Sequence, residues 1–162
     1  MPQTLCHYDF LRANLLARRV AGKDETVAID WSYVGPGPVG EDAGILVFGS
    51  LLRPEVEVKD FIPLGQTVYA GYLAGLQMAG WQGDPGLVRM SFCLATAIHG
   101  ALTVPLLVLW AVTDETSHAW MEQQFAHPIS ELVPQWGALS CYLLDLADEA
   151  RTRLTDYQGS PA

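Results

Sequence analysis

A chain of 162 residues, half of them apolar, can bury one sizeable core, so it reads as a single α-rich domain or one large lobe of something bigger. Its formal net charge of −9, eighteen acidic against nine basic side chains, disfavours a nucleic-acid partner, because neutralising phosphates requires clustered Lys and Arg, and the same field suits a cationic small molecule. Cys6, Cys93 and Cys141 are odd in number, far apart and set among apolar neighbours, which argues against a disulfide framework or a paired-cysteine metal site and fits a reducing, cytoplasmic compartment.

In chain order, the first thirty residues read as short extended pieces joined by polar turns. Thr4-Leu5-Cys6 and Asn14-Leu15-Leu16 come first, a turn is expected at Gly22-Lys23-Asp24-Glu25, and Thr26-Val27-Ala28-Ile29 follows. Asp9 interrupts the earliest apolar run and no basic leader precedes it, so a secretory signal is not expected. A hairpin sets residues before and after its turn side by side, so His7, Asp9, Asn14 and Asp30 are expected to meet near the strand ends.

Gly35-Pro36-Gly37-Pro38 predicts a stiff loop, and Gly40-Glu41 opens an apolar helical run to Leu52. Phe61, Leu64, Val68, Tyr72 and Leu76 recur at helical spacing, with Gly80 as the stop. Asp84-Pro85 is a strong helix start, and the apolar segment beyond it is expected to kink or break at Pro105. Asp114 caps a further helix through Phe125, His127-Pro128 marks a loop, and a broken helical stretch runs from Ser130 towards Leu154.

Met90 to Val112 carries no formal charge with histidine neutral and is nearly long enough to span a bilayer. His99, Gly100, Thr103 and Pro105 lie inside it, and no Lys or Arg stands between Arg89 and Arg151 to set an orientation. A core helix, apolar all round, is therefore expected, with a membrane-embedded helical protein as a rival.

The chemistry is concentrated in His7-Tyr8-Asp9-Phe10-Leu11-Arg12-Ala13-Asn14, then Ile29-Asp30-Trp31, then Asp42 twelve residues beyond Asp30. Phosphoryl transfer needs this set of groups: one carboxylate to orient the attacking hydroxyl and take its proton, and a second carboxylate with an amide oxygen to hold the Mg²⁺ ions on the phosphates. A lone His-x-Asp-x-x-x-x-Asn is weak evidence, and the added Ile-Asp-Trp and Asp make coincidence improbable.

The run resembles the catalytic and metal-binding loops of the aminoglycoside phosphotransferase and choline kinase-like family, whose usual form is His-Gly-Asp-x-x-x-x-Asn, then Ile-Asp-Trp or Ile-Asp-Phe, then a Gly/Pro-rich stretch ending in Asp. The resemblance implies that Asp9 is the catalytic base, Asn14 and Asp30 are Mg²⁺ ligands, and His7 and Asp42 brace the loop. Tyr8 stands where Gly is usual, and Arg12-Ala13 where Pro-Gly is common, which makes Arg12 a candidate contact to phosphate or substrate. Trp31 and Ser32, where protein kinases carry Phe and Gly, argue for a fixed small-molecule enzyme.

By this resemblance the fold is expected to be mainly α with a small β-hairpin region, the C-terminal lobe of the protein-kinase-like fold. Residues 1–157 form that lobe, with active-site loops in 4–48, acceptor-binding helices in 49–157 and a disordered tail in 158–162. No Gly-rich loop, strand Lys or helix Glu precedes the catalytic loop, so an N-terminal nucleotide lobe is expected to be absent and turnover by this chain alone weak. The implied reaction moves the terminal phosphate of ATP or GTP, with Mg²⁺, onto a small-molecule hydroxyl in the cytoplasm, without nucleic-acid polymer or membrane. The alternative is a truncated binding module that docks a partner or a second copy.

Overall fold

A computed structural model describes residues 1–159. Its first forty residues form two two-stranded antiparallel sheets, β2 (Leu15–Val20) with β3 (Lys23–Ala28), and β1 (Gln3–Cys6) with β4 (Gly35–Pro38). The hairpin turn is two residues long, Ala21 and Gly22, both with positive φ, the geometry that matches the twist of the flanking strands. The turn expected at residues 22–25 is thus corrected: Lys23, Asp24 and Glu25 are strand, and the register sets Glu25 opposite Arg18 and Asp24 opposite Arg19 as surface ion pairs.

The second sheet was also unexpected, because Gly35-Pro36-Gly37-Pro38 reads as a loop. Its register pairs Thr4 with Gly37 and Leu5 with Pro36. Proline is tolerated because β4 is an edge strand, where a missing N–H need not interrupt a ladder. This pairing closes the segment 1–40 on itself and delivers the chain to the first helix.

That helix, α1 (Glu41–Leu51), begins after Gly40, whose φ of 110° and close approach to the Val88 carbonyl, 2.7 Å from where a Cβ would stand, both require glycine. Ala43, Val47 and Leu51 face inward. At Gly44 a Cβ would lie 2.7 Å from Ala95 Cβ, so α1 crosses the central helix with backbones nearly touching. Helix α2 (Phe61–Met78) lies across this pair and ends at Ala79 and Gly80, the latter with φ of 83°, as its spacing predicts.

The central helix, α3 (Pro85–Thr113), starts with Asp84 accepting a hydrogen bond from the Gly86 N–H at 2.7 Å and Pro85 in the first turn. It passes through Pro105 as one helix, so of the kink or break expected there the break does not occur, and α5 (Ile129–Gly159) passes through Pro134 as one helix where a broken stretch was expected. Each proline removes one backbone hydrogen bond. The packing between the two helices outweighs that loss: Leu132, Trp136, Leu139, Leu143, Leu146 and Ala150 recur at alternating steps of four and three, all buried, along the seam that meets α3. Between them, α4 (His118–Phe125) sets Met121 and Phe125 into the same core. Helix α5 includes Gln158 and Gly159, where the tail was expected, and residues 160–162 lie outside the described residues.

Helix α3 is long and apolar enough to cross a membrane by length and composition. One face is core, with Val88, Phe92, Cys93 and Val104 fully buried. The opposite face leaves Ile98 60 % and Leu102 74 % exposed, so the expectation of burial all round is corrected to a helix buried on one side.

The polar tie between α3 and α5 is Arg89 with Glu149, paired through two hydrogen bonds of 2.8 and 2.7 Å, with Arg153 adding a third at 2.8 Å. The Arg89 guanidinium beside it, above all, holds the Glu149 carboxyl down at about 2. A depressed folded-state value means the pair stabilises above the ordinary carboxylate value of 4.5, and that stabilisation is lost as pH falls through about 2. Glu149→Gln is expected to lower stability at neutral pH by about 1–2 kcal/mol after solvent screening and to flatten the loss between pH 4.5 and 2, measured by urea unfolding across that range.

Candidate active site

The loop from His7 to Asn14 is pinned at both ends and through its middle. Asp42, in the first turn of α1, accepts the His7 N–H at 2.8 Å and the Tyr8 N–H at 3.0 Å, one on each carboxylate oxygen. His7 is 1 % exposed, and its ring works as a two-way connector: Nε2 donates to the Ile29 carbonyl at 2.8 Å, and Nδ1 accepts the Asp9 N–H at 3.3 Å. Phe10 meets the same ring edge-on at 5.7 Å and Trp31 lies against it at 4.7 Å between centroids. The histidine thus joins the loop that carries Asp9 to the strand end that carries Asp30.

Tyr8 has φ of 62°, the left-handed region, which accounts physically for the preference for glycine there in the pattern this run resembles. Its ring folds outward over β4, where the hydroxyl donates to the Pro36 carbonyl at 2.8 Å. A Cβ at Gly37 would collide with that hydroxyl and stand 2.9 Å from Cys6 Sγ. Tyr8 therefore fits because Gly37 has no side chain.

Asp9 and Asn14 are in direct contact across the 3-10 turn Arg12–Asn14. The Asn14 amide nitrogen donates to the Asp9 carbonyl and to Asp9 Oδ2, each at 2.8 Å. This turns Asn14 Oδ1 away from Asp9 and leaves Asp9 Oδ1 open. Asp30 has φ of 61°, and its Oδ1 accepts from the Ser32 hydroxyl at 2.7 Å. Its neighbour Ile29 donates to the Asn14 carbonyl at 3.0 Å and accepts from His7, so the backbone at Asp30 is tied to both ends of the His7–Asn14 loop. The Asp30 carboxylate itself makes no hydrogen bond with Asp9 or Asn14. Arg12 is exposed, and its guanidinium has no hydrogen-bond or ion-pair partner among the described residues.

Among the described residues no group of three or more His, Cys, Asp and Glu side chains is arranged to hold a metal ion. The candidate oxygens here are instead the Asp30 carboxylate and the Asn14 amide, a hard donor set that suits Mg²⁺, which takes one or two carboxylates and completes its shell with water and phosphate oxygens. Burial, with Asp42 and Glu41 adding to it at Cys6, pushes both Cys6 and Cys93 up to about 12, which disfavours the reactive thiolate at both.

Beside the turn lies a cleft of about 660 Å³, between Leu11, Arg12 and Ala13, the end of α1 at Phe48 and Gly49, and Gln124 and Phe125 of α4. Arg53 and Phe125 escaped the sequence reading. Gly49 follows Asp42 two turns on along the same face of α1, whereas Arg53 lies just beyond the helix end, where no helical spacing signals it. That face meets the loop at His7 and Tyr8 through Asp42 and at Leu11, into which a Cβ at Gly49 would run.

A model of the phosphotransferase enzyme family matches residues 1–87, more than half of the chain and every loop described above, and the chain belongs to that family. No curated protein and no solved structure matches it. The matched span ends at the third residue of α3, so α4, α5 and most of α3 lie outside it.

Removing the Asp42 carboxylate strands two inward-facing N–H groups. Asp42→Ala is expected to cost about 2–4 kcal/mol in urea unfolding and to speed amide exchange at His7 and Tyr8 above that of the helices. Unchanged exchange at those two amides would show that Asp42 does not hold the loop.

Proposed function

We propose that this chain is the catalytic lobe of a kinase-like small-molecule phosphotransferase, which moves the terminal phosphate of ATP or GTP onto a hydroxyl in the cytoplasm. The observation that carries this reading is the Asp9–Asn14 contact, in which the amide nitrogen occupies one carboxylate oxygen and leaves the other open. In support, two residues of the same loops, Tyr8 and Asp30, are held in the left-handed region, a cost that surrounding structure must maintain and that recurs at functional sites.

Asp9 Oδ1 accepts the proton of the acceptor hydroxyl as its oxygen bonds to the terminal phosphorus, and the bridging P–O bond breaks to release the nucleoside diphosphate. Asn14 holds Asp9 in the orientation this requires. Asn14 Oδ1 and the second oxygen of Asp30 are the atoms that would hold Mg²⁺, which when bound neutralises charge on the phosphates. His7 and Asp42 keep the loop in shape without touching substrate. In this reading the grip on the inner phosphates comes from a second lobe, and turnover by the present chain alone is weak.

Calorimetric titration with Mg²⁺–ATP and Mg²⁺–GTP is expected to detect binding that chelation removes and that Asp30→Ala abolishes. Asp9→Asn should keep that binding and lower transfer by about 10²–10⁴-fold. Binding indifferent to chelation, or transfer indifferent to Asp9→Asn, defeats the assignment. A second reading, a docking module without turnover, is favoured by the exposed Ile98, Leu102, Leu106 and Leu109 on α3, and it requires association independent of nucleotide, measured by sedimentation.

A further inference from the structure

Resting on the phosphotransferase reading, we infer that the cleft beside the Arg12–Asn14 turn is the acceptor site and that its acceptor carries an anionic group, which Arg12 and Arg53 recognise. The volume of about 660 Å³ is that of a small-molecule site. One wall is Leu11, Arg12 and Ala13, which lie between Asp9 and Asn14 in the chain, so a molecule seated there lies alongside the loop to which the base belongs. The floor is apolar, formed by Phe48, Leu52 and Phe125.

The charges at its rim decide the chemistry. Arg12 is exposed and unpartnered among the described residues, on a chain with twice as many acidic as basic side chains. Arg53 stands across the cleft, with its guanidinium 5.9 Å from the centre of the Phe125 ring and one long hydrogen bond of 3.5 Å to the Gln124 carbonyl. Among the described residues neither guanidinium is paired with a carboxylate, while Glu55 is the one acidic residue in the lining. The cleft lining thus carries two basic side chains against one acidic one, the reverse of the balance over the whole chain. Two planar guanidiniums over an apolar floor suit a carboxylate or phosphate on an apolar body, with the hydroxyl at its other end. The net charge alone suits a cationic acceptor, but at contact distance the neighbouring groups outweigh distant screened ones.

Three matched alcohols test this without nucleotide: 4-(hydroxymethyl)benzoate, 4-(hydroxymethyl)benzamide and 4-(hydroxymethyl)benzylamine, titrated into the full chain and followed by amide resonances of residues 11–13, 48–53 and 124–125. The benzoate is expected to bind about tenfold more tightly than the other two. Arg12→Gln and Arg53→Gln should each remove most of that preference and leave the benzamide affinity unchanged. Arg12 supports no other side chain, so its variant keeps the fold, as the unperturbed remainder of the spectrum verifies. An equal or higher affinity for the amine, a preference that survives both substitutions, or no shift in the cleft with any of the three overturns the proposal. Metal-dependent nucleotide binding without a benzoate preference refutes this inference alone. A benzoate preference without nucleotide binding supports the cleft and refutes the phosphotransferase reading.

Discussion

The carboxylate of Asp42 joins the site to the helices that carry it. Both of its oxygens are taken by consecutive backbone N–H groups, those of His7 and Tyr8, so it fixes the orientation of a peptide plane and the direction in which the chain leaves it. Everything downstream in the loop inherits that direction: the histidine ring that reaches Ile29, the left-handed step at Tyr8, and the exit towards Asp9. Because Asp42 lies in the first turn of α1, which packs backbone to backbone on α3 at Gly44, the loop is referred to the most deeply buried part of the fold. A loop of eight residues has no core of its own, and this one borrows rigidity from a helix crossing.

The residues of the candidate site were legible because their chemistry is carried by side-chain type and spacing, which a sequence displays directly. His7, Asp9, Asn14, Asp30 and Asp42 could be named without coordinates, and the membership in the phosphotransferase enzyme family rests on the same stretch. The cleft was not legible, because it is assembled from three elements far apart in the chain, and a residue such as Phe125 reveals its position only once α4 is folded against α1.

The misread elements share a physical reason. Local rules weigh Gly and Pro heavily, and three times tertiary contacts overrode them. Gly35–Pro38 pairs with β1 because an edge strand tolerates missing donors. Pro105 and Pro134 sit inside long helices because the seam of Trp136, Leu139 and Leu143 against α3 contributes more than two lost hydrogen bonds cost. The alternating four-three repeat in α5 was the signal that could have corrected the reading, since it runs through the proline without changing phase.

The fit between Tyr8 and Gly37 bears on how such chains diverge. An aromatic at the second place of the loop is tolerated only while its ring has an empty berth on the neighbouring strand, so the two positions are not free to drift separately. A lineage that first filled position 37 would be held to a small residue at position 8, and one that first enlarged position 8 would be held to glycine at 37.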